Sequence, residues 1–225
     1  MPGQVWLDAP NRRELFMPFV TGHDSFEDRI VPDGASVWRY MDLARFVSML
    51  EDASLVFPSA AVLQKADKWE GAFGPLNVQM RAENDDTDPP YGSGWTRWQR
   101  ENYAKIMYIN CWHVSEDESA AMWDIYQREG RGVAVRSTWG DLTASLTGTR
   151  DVYGGYIRYI DYETTLVEEY NGFNAFMYKR RSFEHEREAR LIIQGGSQSE
   201  VVRRSDRAVP KDEGPVLKIP ADLAG

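Results

Sequence analysis

The segment from Met107 to Val114, with the sequence MYINCWHV, constrains the fold more than any other part of the chain. It is almost continuously apolar and rich in β-favouring residues, which is typical of a strand that is covered on both faces. Such a strand needs partner strands along its edges and packed elements above and below it. The sequence therefore predicts a central strand inside a layered domain.

Short strand and helix patterns follow one another along the rest of the chain. Residues 36–40 favour a strand, and apolar residues then recur at helical spacing behind a predicted N-cap at Asp42. Further strands are predicted at 54–57, 132–137, 153–162, 188–194 and 215–220, and helices at 119–128, 139–146 and 173–181. A Ser-x-x-Glu capping box at residues 115–118 marks the start of the first of these helices. Because the order lacks a regular βαβ cadence, we predict an α+β fold with a mixed, largely antiparallel sheet flanked by short helices.

Two segments interrupt this pattern. Residues 1–35 have no sustained period and predict an irregular N-terminal arm, which leaves residues 36–225 as a single α+β domain. Residues 83–94 are acidic and proline-rich, so they cannot bury apolar surface and predict a solvent-facing loop.

Charge and cysteine content exclude several classes of protein. The formal net charge of −9 argues against broad non-specific binding to duplex nucleic acid. Cys111 is the only cysteine among the 225 residues, so no intrachain disulfide forms, and a single thiol suits a reducing compartment. The apolar runs are far shorter than the roughly 18 to 20 residues that span a bilayer, and the start has no secretory pattern. We therefore predict a cytoplasmic protein without a membrane partner.

The segment from Lys179 to Arg190, KRRSFEHEREAR, has the highest density of charged side chains. In an extended chain Glu186 and Glu188 project to the same side. Two neighbouring carboxylates repel, which raises the pKa of one of them. The pair can then divide into an anion that stabilises positive charge and a partner that handles a proton. The alternative is a solvated helix whose charges form weak surface pairs.

Four motifs together carry a resemblance to a known family. They are Trp38-Arg39-Tyr40, Asn110-Cys111-Trp112-His113, Ala121-Met122-Trp123-x-x-Tyr126 leading to Gly132-Val133-Ala134-Val135, and Phe183-x-x-Glu186-x-Glu188-x-Arg190. On these motifs, residues 37–193 resemble an uncharacterised prokaryotic family, the domain of unknown function 2971 group. Such proteins commonly have Asn-Asp-Pro-Phe-Glu after the second strand, where this chain has Asp67-Lys68-Trp69-Glu70, so the resemblance implies no role for that loop.

A second resemblance suggests a reaction. Arg39, the pair Ser137-Thr138 and Glu186-x-Glu188 occur in the order that is typical of ADP-ribosyltransferases of the Arg/Ser/Glu type. The resemblance implies that NAD is bound as a substrate, with Arg39 on its pyrophosphate and with Ser137 and Thr138 bracing the nicotinamide site. It implies that Glu188 stabilises an oxocarbenium-like transition state and that Glu186 orients or deprotonates the acceptor, which can be a protein or a nucleic acid.

Aromatic side chains complete the predicted binding site. Tyr40, Trp123 and Tyr126 are candidates to contact the nucleotide, since flat rings stack on bases and on nicotinamide. The alternative is that these residues belong to the core. Arg39 likewise has an alternative role as an edge cation packed on its neighbour.

Other chemistries remain open at this point. One is a metal-dependent nuclease or phosphodiesterase in which Asp161, Glu186 and Glu188 hold a divalent ion and Lys179 or Arg180 holds phosphate. Another is a non-catalytic module that senses a ligand in a bacterial defence or stress system. Cys111 and His113 lie on one face of a strand and could form a thiolate–imidazolium pair, although a lone cysteine in a central strand usually packs. The three histidines have no metal-ligand spacing, so no metal is assigned to the predicted site.

Overall fold

A computed structural model describes residues 20, 28–84, 102–126, 131–148, 150–169, 172–195 and 215–223. Its main sheet contains β1 (Ser36–Asp42), β3 (Met107–Val114), β4 (Gly132–Thr138), β5 (Tyr153–Tyr156) and β8 (Glu188–Gln194). These five strands are antiparallel to their neighbours in the order β4-β1-β3-β8-β5. One small sheet pairs β2 (Ser54–Pro58) with β9 (Val216–Pro220) in antiparallel fashion, and another pairs β6 (Arg158–Ile160) with β7 (Tyr178–Arg180) in parallel.

Short helices flank the sheets. They are α1 (Leu43–Asp52), α2 (Ala60–Leu63), α3 (Pro75–Asn84), α4 (residues 102–106), α5 (Ala120–Tyr126) and α6 (Trp139–Ser145), with 3-10 helices at Asn174–Phe176 and Arg181–Glu186. This arrangement confirms the predicted single-domain α+β fold with largely antiparallel strands. The main sheet itself is entirely antiparallel, and the parallel β6–β7 pair forms a separate small sheet. None of the helices in the described ranges combines the length and the apolar character that crossing a bilayer requires.

The predicted central strand is confirmed. β3 has β1 on one side and β8 on the other, and both of its faces are covered. One face packs into a cluster that includes Val37, Trp112 and Leu191, whereas the other packs into a cluster that includes Ile109 and Ile192. The core therefore lies on both sides of the sheet, which accounts for the almost continuously apolar sequence of β3.

The ends of the helices test the predicted caps. Asp42 caps α1 as predicted, because its carboxylate accepts a hydrogen bond from the backbone N–H of Arg45. The predicted capping box at residues 115–118 is wrong, since α5 begins at Ala120 and its cap is Ser119. The Ser119 hydroxyl accepts a hydrogen bond from the N–H of Met122 at 3.3 Å.

The predicted helix at 173–181 is also wrong. Only residues 174–176 form a 3-10 turn, and the chain then extends into β7. β7 pairs with β6, so tertiary strand pairing overrides the local helical pattern here. The predicted strand 153–162 is divided for the same reason. Its first part, β5, pairs with β8 and its second part, β6, pairs with β7.

The two interrupting segments are described only in part. Residues 1–19, 21–27 and 85–94 lie outside the described residues, and residues 83 and 84 belong to α3 rather than to a loop. The end of the N-terminal arm, residues 28–35, has no helix or strand but packs against the domain. Arg29 is buried there and donates a hydrogen bond to the carbonyl of Met177 at 2.7 Å.

Candidate functional site

The main sheet opens between β1 and β3. These two strands pair only at Val37–Val114 and Trp38–His113. Beyond these positions they separate, while β1 stays paired with β4 and β3 stays paired with β8. β2 lies beside β3 near Asn110, whose side chain donates a hydrogen bond to the carbonyl of Val56 at 2.8 Å. The space between the separated strands is therefore bounded by β2 on one side.

A cavity of about 590 Å³ occupies this space, which is a volume typical of small-molecule sites. Its lining comes from β1, α1, β2, α2, β3, α5, β8 and β9, and from the 3-10 helix that ends at Glu186. Most of the wall is apolar, and the charged and polar groups come from Arg39, Arg45, Ser48, Cys111, His113, Tyr126, Glu186 and Glu188. An apolar pocket with a few converging polar groups is the usual form of a ligand site.

Arg39 crosses the opening between the strands. By strand alternation its side chain lies on the same face of β1 as Val37 and Met41. The guanidinium donates to the carbonyl of Cys111 at 3.0 Å and to that of Val56 at 3.5 Å. No carboxylate of the described residues forms an ion pair with it. Burial lowers the pKa of Arg39, because the charged form loses hydration that no anion replaces.

Glu186 and Glu188 both line the cavity, but the backbone conformation that places them there differs from the predicted extended strand. Glu186 is the last residue of a 3-10 helix and Glu188 is the first residue of β8. Arg187 between them has a left-handed backbone, with φ of 41° and ψ of 55°. This bend, rather than alternation along an extended strand, brings the two carboxylates to one wall.

A buried ion network holds Glu188. Its Oε1 accepts a hydrogen bond from Nε of Arg190, and its Oε2 lies 3.2 Å from Nζ of Lys179. Lys179 also donates to Glu186. On its far side Arg190 forms two bonds to Glu70, from Nη1 at 2.5 Å and from Nη2 at 2.9 Å. The Glu188 and Arg190 side chains are only 3% and 1% exposed, so this pair is shielded from bulk water.

The environments of the two glutamates shift their pKa values in opposite directions. Burial on its own raises the pKa of Glu188, but Arg190 and Lys179 outweigh burial and lower the pKa to about 2. Burial raises the pKa of Glu186 and the charge of Glu188 adds to this effect, although Lys179 opposes it. Glu188 is therefore a fixed anion, whereas Glu186, with a side chain 21% exposed, is suited to exchange a proton.

One wall of the cavity is aromatic. Tyr40 stacks on Tyr126 with ring centroids 6.5 Å apart and has Trp123 edge-on at 5.1 Å. Tyr40 and Tyr126 line the cavity, whereas Trp123 packs behind Tyr40 and donates its indole N–H to Glu118. The predicted aromatic contacts of Tyr40 and Tyr126 thus coincide with the cavity, and that of Trp123 does not.

His113 also lines the cavity and was not predicted as part of the binding site. Its Nδ1 donates to the carbonyl of Glu186 at 2.6 Å, so in the neutral ring Nε2 is the acceptor. Burial lowers its pKa, which favours that neutral ring. Cys111 on the same face has a pKa well above its ordinary value because of burial, so its thiol stays protonated.

Ser137 and Thr138 lie away from the cavity. Both are at the end of β4, where Ser137 pairs with Val37 across the ladder. Thr138 is the N-cap of α6, and its hydroxyl accepts a hydrogen bond from the N–H of Asp141 at 3.1 Å. Neither residue is in the lining, so the Ser-Thr pair does not share the cavity with Arg39 and the glutamates.

Metal ligands are not clustered in the part of the chain that the structure describes. No group of three or more His, Cys, Asp or Glu side chains there has the geometry to hold a metal ion. Asp161 caps its own turn by accepting from the N–H of Glu163 and does not line the cavity. The Asp161, Glu186 and Glu188 triad of the nuclease alternative is therefore not assembled.

No family model, curated protein or solved structure matches this chain. Both resemblances described above thus stay predictions, and the site has to be interpreted from its own geometry. Glu70 is the member of the ion network that the sequence does not indicate, because it lies in a turn without periodic pattern. The excess of positive charge between Lys179 and Arg190 is the one sequence signal for the rest of the network.

Proposed function

We propose that this protein is a nucleotide-binding enzyme that cleaves the bond between ribose and a cationic base, with NAD as its substrate. The observation that carries the proposal is the convergence of Arg39, Glu186 and Glu188 on one cavity of small-molecule size. Arg39 has no ion-pair partner among the described residues. Together with the two unequal carboxylates it provides complementary contacts for a ligand with phosphate at one end and a ribosyl cation developing at the other.

Arg39 supplies the phosphate contact. A guanidinium can bind phosphate through two parallel hydrogen bonds, and this one has donors left after its bonds to two carbonyls. A partly buried charge is costly unless it is paired, and no carboxylate of the described residues pairs with Arg39, so an anionic ligand would complete its contacts. The rings of Tyr40 and Tyr126 offer a flat surface for the base or the nicotinamide.

Glu188 stabilises the transition state. As the bond from the ribosyl carbon to nicotinamide breaks, the electron pair leaves with the nicotinamide nitrogen and positive charge develops on the ribose. An ionised carboxylate already fixed by Arg190 and Lys179 stabilises that charge without reorganising. Its low pKa keeps Glu188 ionised throughout the reaction.

Glu186 handles the acceptor. Water, or the hydroxyl or nitrogen of an acceptor, attacks the ribosyl carbon, and its proton passes to the Glu186 carboxylate and from there to solvent. The raised pKa of Glu186 makes it a stronger base than a solvated glutamate. Whether the acceptor is water, a protein or a nucleic acid decides between glycohydrolase and transferase activity. The single cysteine further supports a cytoplasmic location as part of this proposal.

The test compares nicotinamide release from NAD by the wild-type protein and by Glu188→Gln. We expect kcat to fall about 100- to 1000-fold, because the variant loses the negative charge that faces the developing cation. Glu184→Gln is the matched control, since Glu184 is an exposed residue of the neighbouring 3-10 helix that ends at Glu186, and it does not line the cavity. Circular dichroism spectra of all three proteins establish that they are folded.

Three outcomes contradict the proposal. Equal turnover by wild type and Glu188→Gln removes the role of Glu188. Hydrolysis of a nucleic acid or phosphodiester that requires magnesium and stops with a chelator supports the nuclease alternative. Tight binding of NAD without any release of nicotinamide supports the ligand-sensing alternative.

A further inference from the structure

Glu70 is buried at a distance from the cavity. It is 4% exposed, lies in the turn after α2 and is not among the cavity-lining residues. Its carboxylate accepts two hydrogen bonds from the guanidinium of Arg190, at 2.5 and 2.9 Å. This bidentate geometry defines the plane of the guanidinium as well as its position.

The plane of Arg190 determines how Glu188 is held. Nε of Arg190 donates to Oε1 of Glu188, and Nη2 lies 3.4 Å from Oε2. Nη1 also donates to the carbonyl of Phe176 at 2.5 Å. Arg190 thus bridges two carboxylates, and Glu70 keeps the Nε–H directed at the carboxylate that lines the cavity.

The turn that carries Glu70 is itself fixed. Gln64 donates a side-chain hydrogen bond to the carbonyl of Glu70 at 2.9 Å. The next residue, Gly71, has φ of +68°, and a Cβ at that position would lie 2.3 Å from the ring of Phe176. Glycine is therefore required there, and its close approach sets the turn against the segment whose carbonyl also binds Arg190.

We propose that Glu70 is a positioning residue, which acts through Arg190 to hold the Glu188 carboxylate in its reactive orientation. This inference rests on the proposed function, in which Glu188 faces the ribosyl carbon. A purely structural ion pair in this place would stabilise the fold without affecting the chemical step. A positioning pair affects kcat more than KM, because the orientation of Glu188 matters most in the transition state.

The experiment compares Glu70→Gln and Glu70→Asp with wild type. Asp67→Asn is the matched control, since Asp67 is in the same turn, is similarly buried and pairs with Arg180 at 2.9 Å rather than with Arg190. We expect Glu70→Gln to lower kcat for nicotinamide release about 10- to 100-fold. KM should stay within about twofold of wild type, because ground-state binding is unchanged. Glu70→Asp should recover part of the loss, and Asp67→Asn should match wild type.

A second readout does not depend on turnover. In ¹⁵N NMR spectra of the ligand-free protein, the Nε–H signal of Arg190 is assigned through its loss in Arg190→Lys. We expect this signal to be sharp in wild type and in Asp67→Asn, and broadened or exchanged with water in Glu70→Gln.

The two readouts separate the failure of each proposal. If wild type releases nicotinamide and Glu70→Gln is folded with an unchanged kcat, the positioning role is overturned. If wild type releases no nicotinamide, the proposed function fails, and an unchanged Arg190 signal in Glu70→Gln overturns the positioning role as well. If Glu70→Gln does not fold, Glu70→Asp decides by the same criteria.

Discussion

β3 meets β8 along one edge and β1 along the other, and these two junctions differ in whether their charged side chains have ion-pair partners. On the β8 side the ladder is continuous from Met107–Gln194 to His113–Glu188, and the charged residues of β8 find their partners inside the protein. On the β1 side the ladder ends after Trp38–His113, and Arg39 finds two carbonyls but no carboxylate among the described residues. The closed junction is complete without a ligand. The open junction leaves a partly buried cation beside a cavity, which is the arrangement expected of a binding site.

The largest expected effect comes from breaking the closed junction. Arg190→Met removes the cation that separates Glu70 from Glu188 and leaves a buried carboxylate without its partner. We expect the free energy of unfolding to fall by about 3 to 5 kcal/mol, measured by urea denaturation. Arg39→Met at the open junction should cost no more than about 1 kcal/mol. It loses hydrogen bonds to two carbonyls, one of which Asn110 also satisfies, and it removes a partly buried charge that has no ion-pair partner among the described residues.

The free energies of unfolding of Arg190→Met and Arg39→Met have to be compared with each other. Similar losses of stability in both would mean that Arg39 is as much a part of the folded core as Arg190. A large loss of NAD affinity in Arg39→Met, with its stability preserved, is the result that separates binding from folding.

An effect of intermediate size is expected on the stability of the protein at acid pH. The pKa of Glu188 is about 2 in the folded protein against an ordinary value of 4.5. Since folding lowers this pKa, ionised Glu188 stabilises the protein above pH 4.5, and that stabilisation is lost as the pH falls towards 2. The shift corresponds to about 3 kcal/mol. The free energy of unfolding of Glu188→Gln should therefore fall less steeply than that of wild type between pH 4.5 and 2.

Glu186 provides the control of opposite sign. Its pKa is raised in the folded protein, so its ionisation reduces stability as the pH rises above 4.5. Glu186→Gln should remove that decrease and leave the acid limb below pH 4.5 as it is in wild type. Parallel curves for all three proteins would show that neither carboxylate has a perturbed environment.

The smallest effect is expected where β4 leaves β1. Thr138→Ala should cost about 1 kcal/mol of stability, because Thr138 caps α6. Neither Thr138→Ala nor Ser137→Ala should change kcat for nicotinamide release, since both side chains lie outside the cavity lining. A substantial loss of activity in Ser137→Ala would mean that the Ser-Thr pair acts in the way the ADP-ribosyltransferase resemblance implies.

Local sequence pattern predicts the strands well where burial is continuous. Met107 to Val114 has the predicted bounds, because an apolar run covered on both faces has few alternatives. Glu188 to Gln194 also has the predicted bounds, although Glu188 and Arg190 are charged and pair with each other inside the protein. The predicted helix at 173–181 fails because pairing of Tyr178–Arg180 with β6 depends on a distant segment. The Ser115 cap fails because Ser119, four residues later, is the residue that meets the helix N-terminus.

The sequence predicts only part of the candidate site, because the cavity depends on how the strands pair. Arg39 and the glutamates are visible as charged residues beside strands, and they do line one cavity. The gap between β1 and β3 that brings them together is a property of strand register, which no local pattern contains. Glu70 contributes through a contact over 120 residues of sequence, so only the folded chain indicates it. The sequence indicates His113 only as a possible partner of Cys111, and its contact with Glu186, 73 residues away, is visible only in the folded chain.

A crystal structure of the protein soaked with NAD, with AMP in a parallel soak, shows directly where a nucleotide binds. We expect density in the cavity between β1 and β3, with a phosphate within hydrogen-bond distance of Arg39 and the ribosyl carbon facing Glu188. NAD bound at another surface, with only water in this cavity, would disprove the proposed binding site.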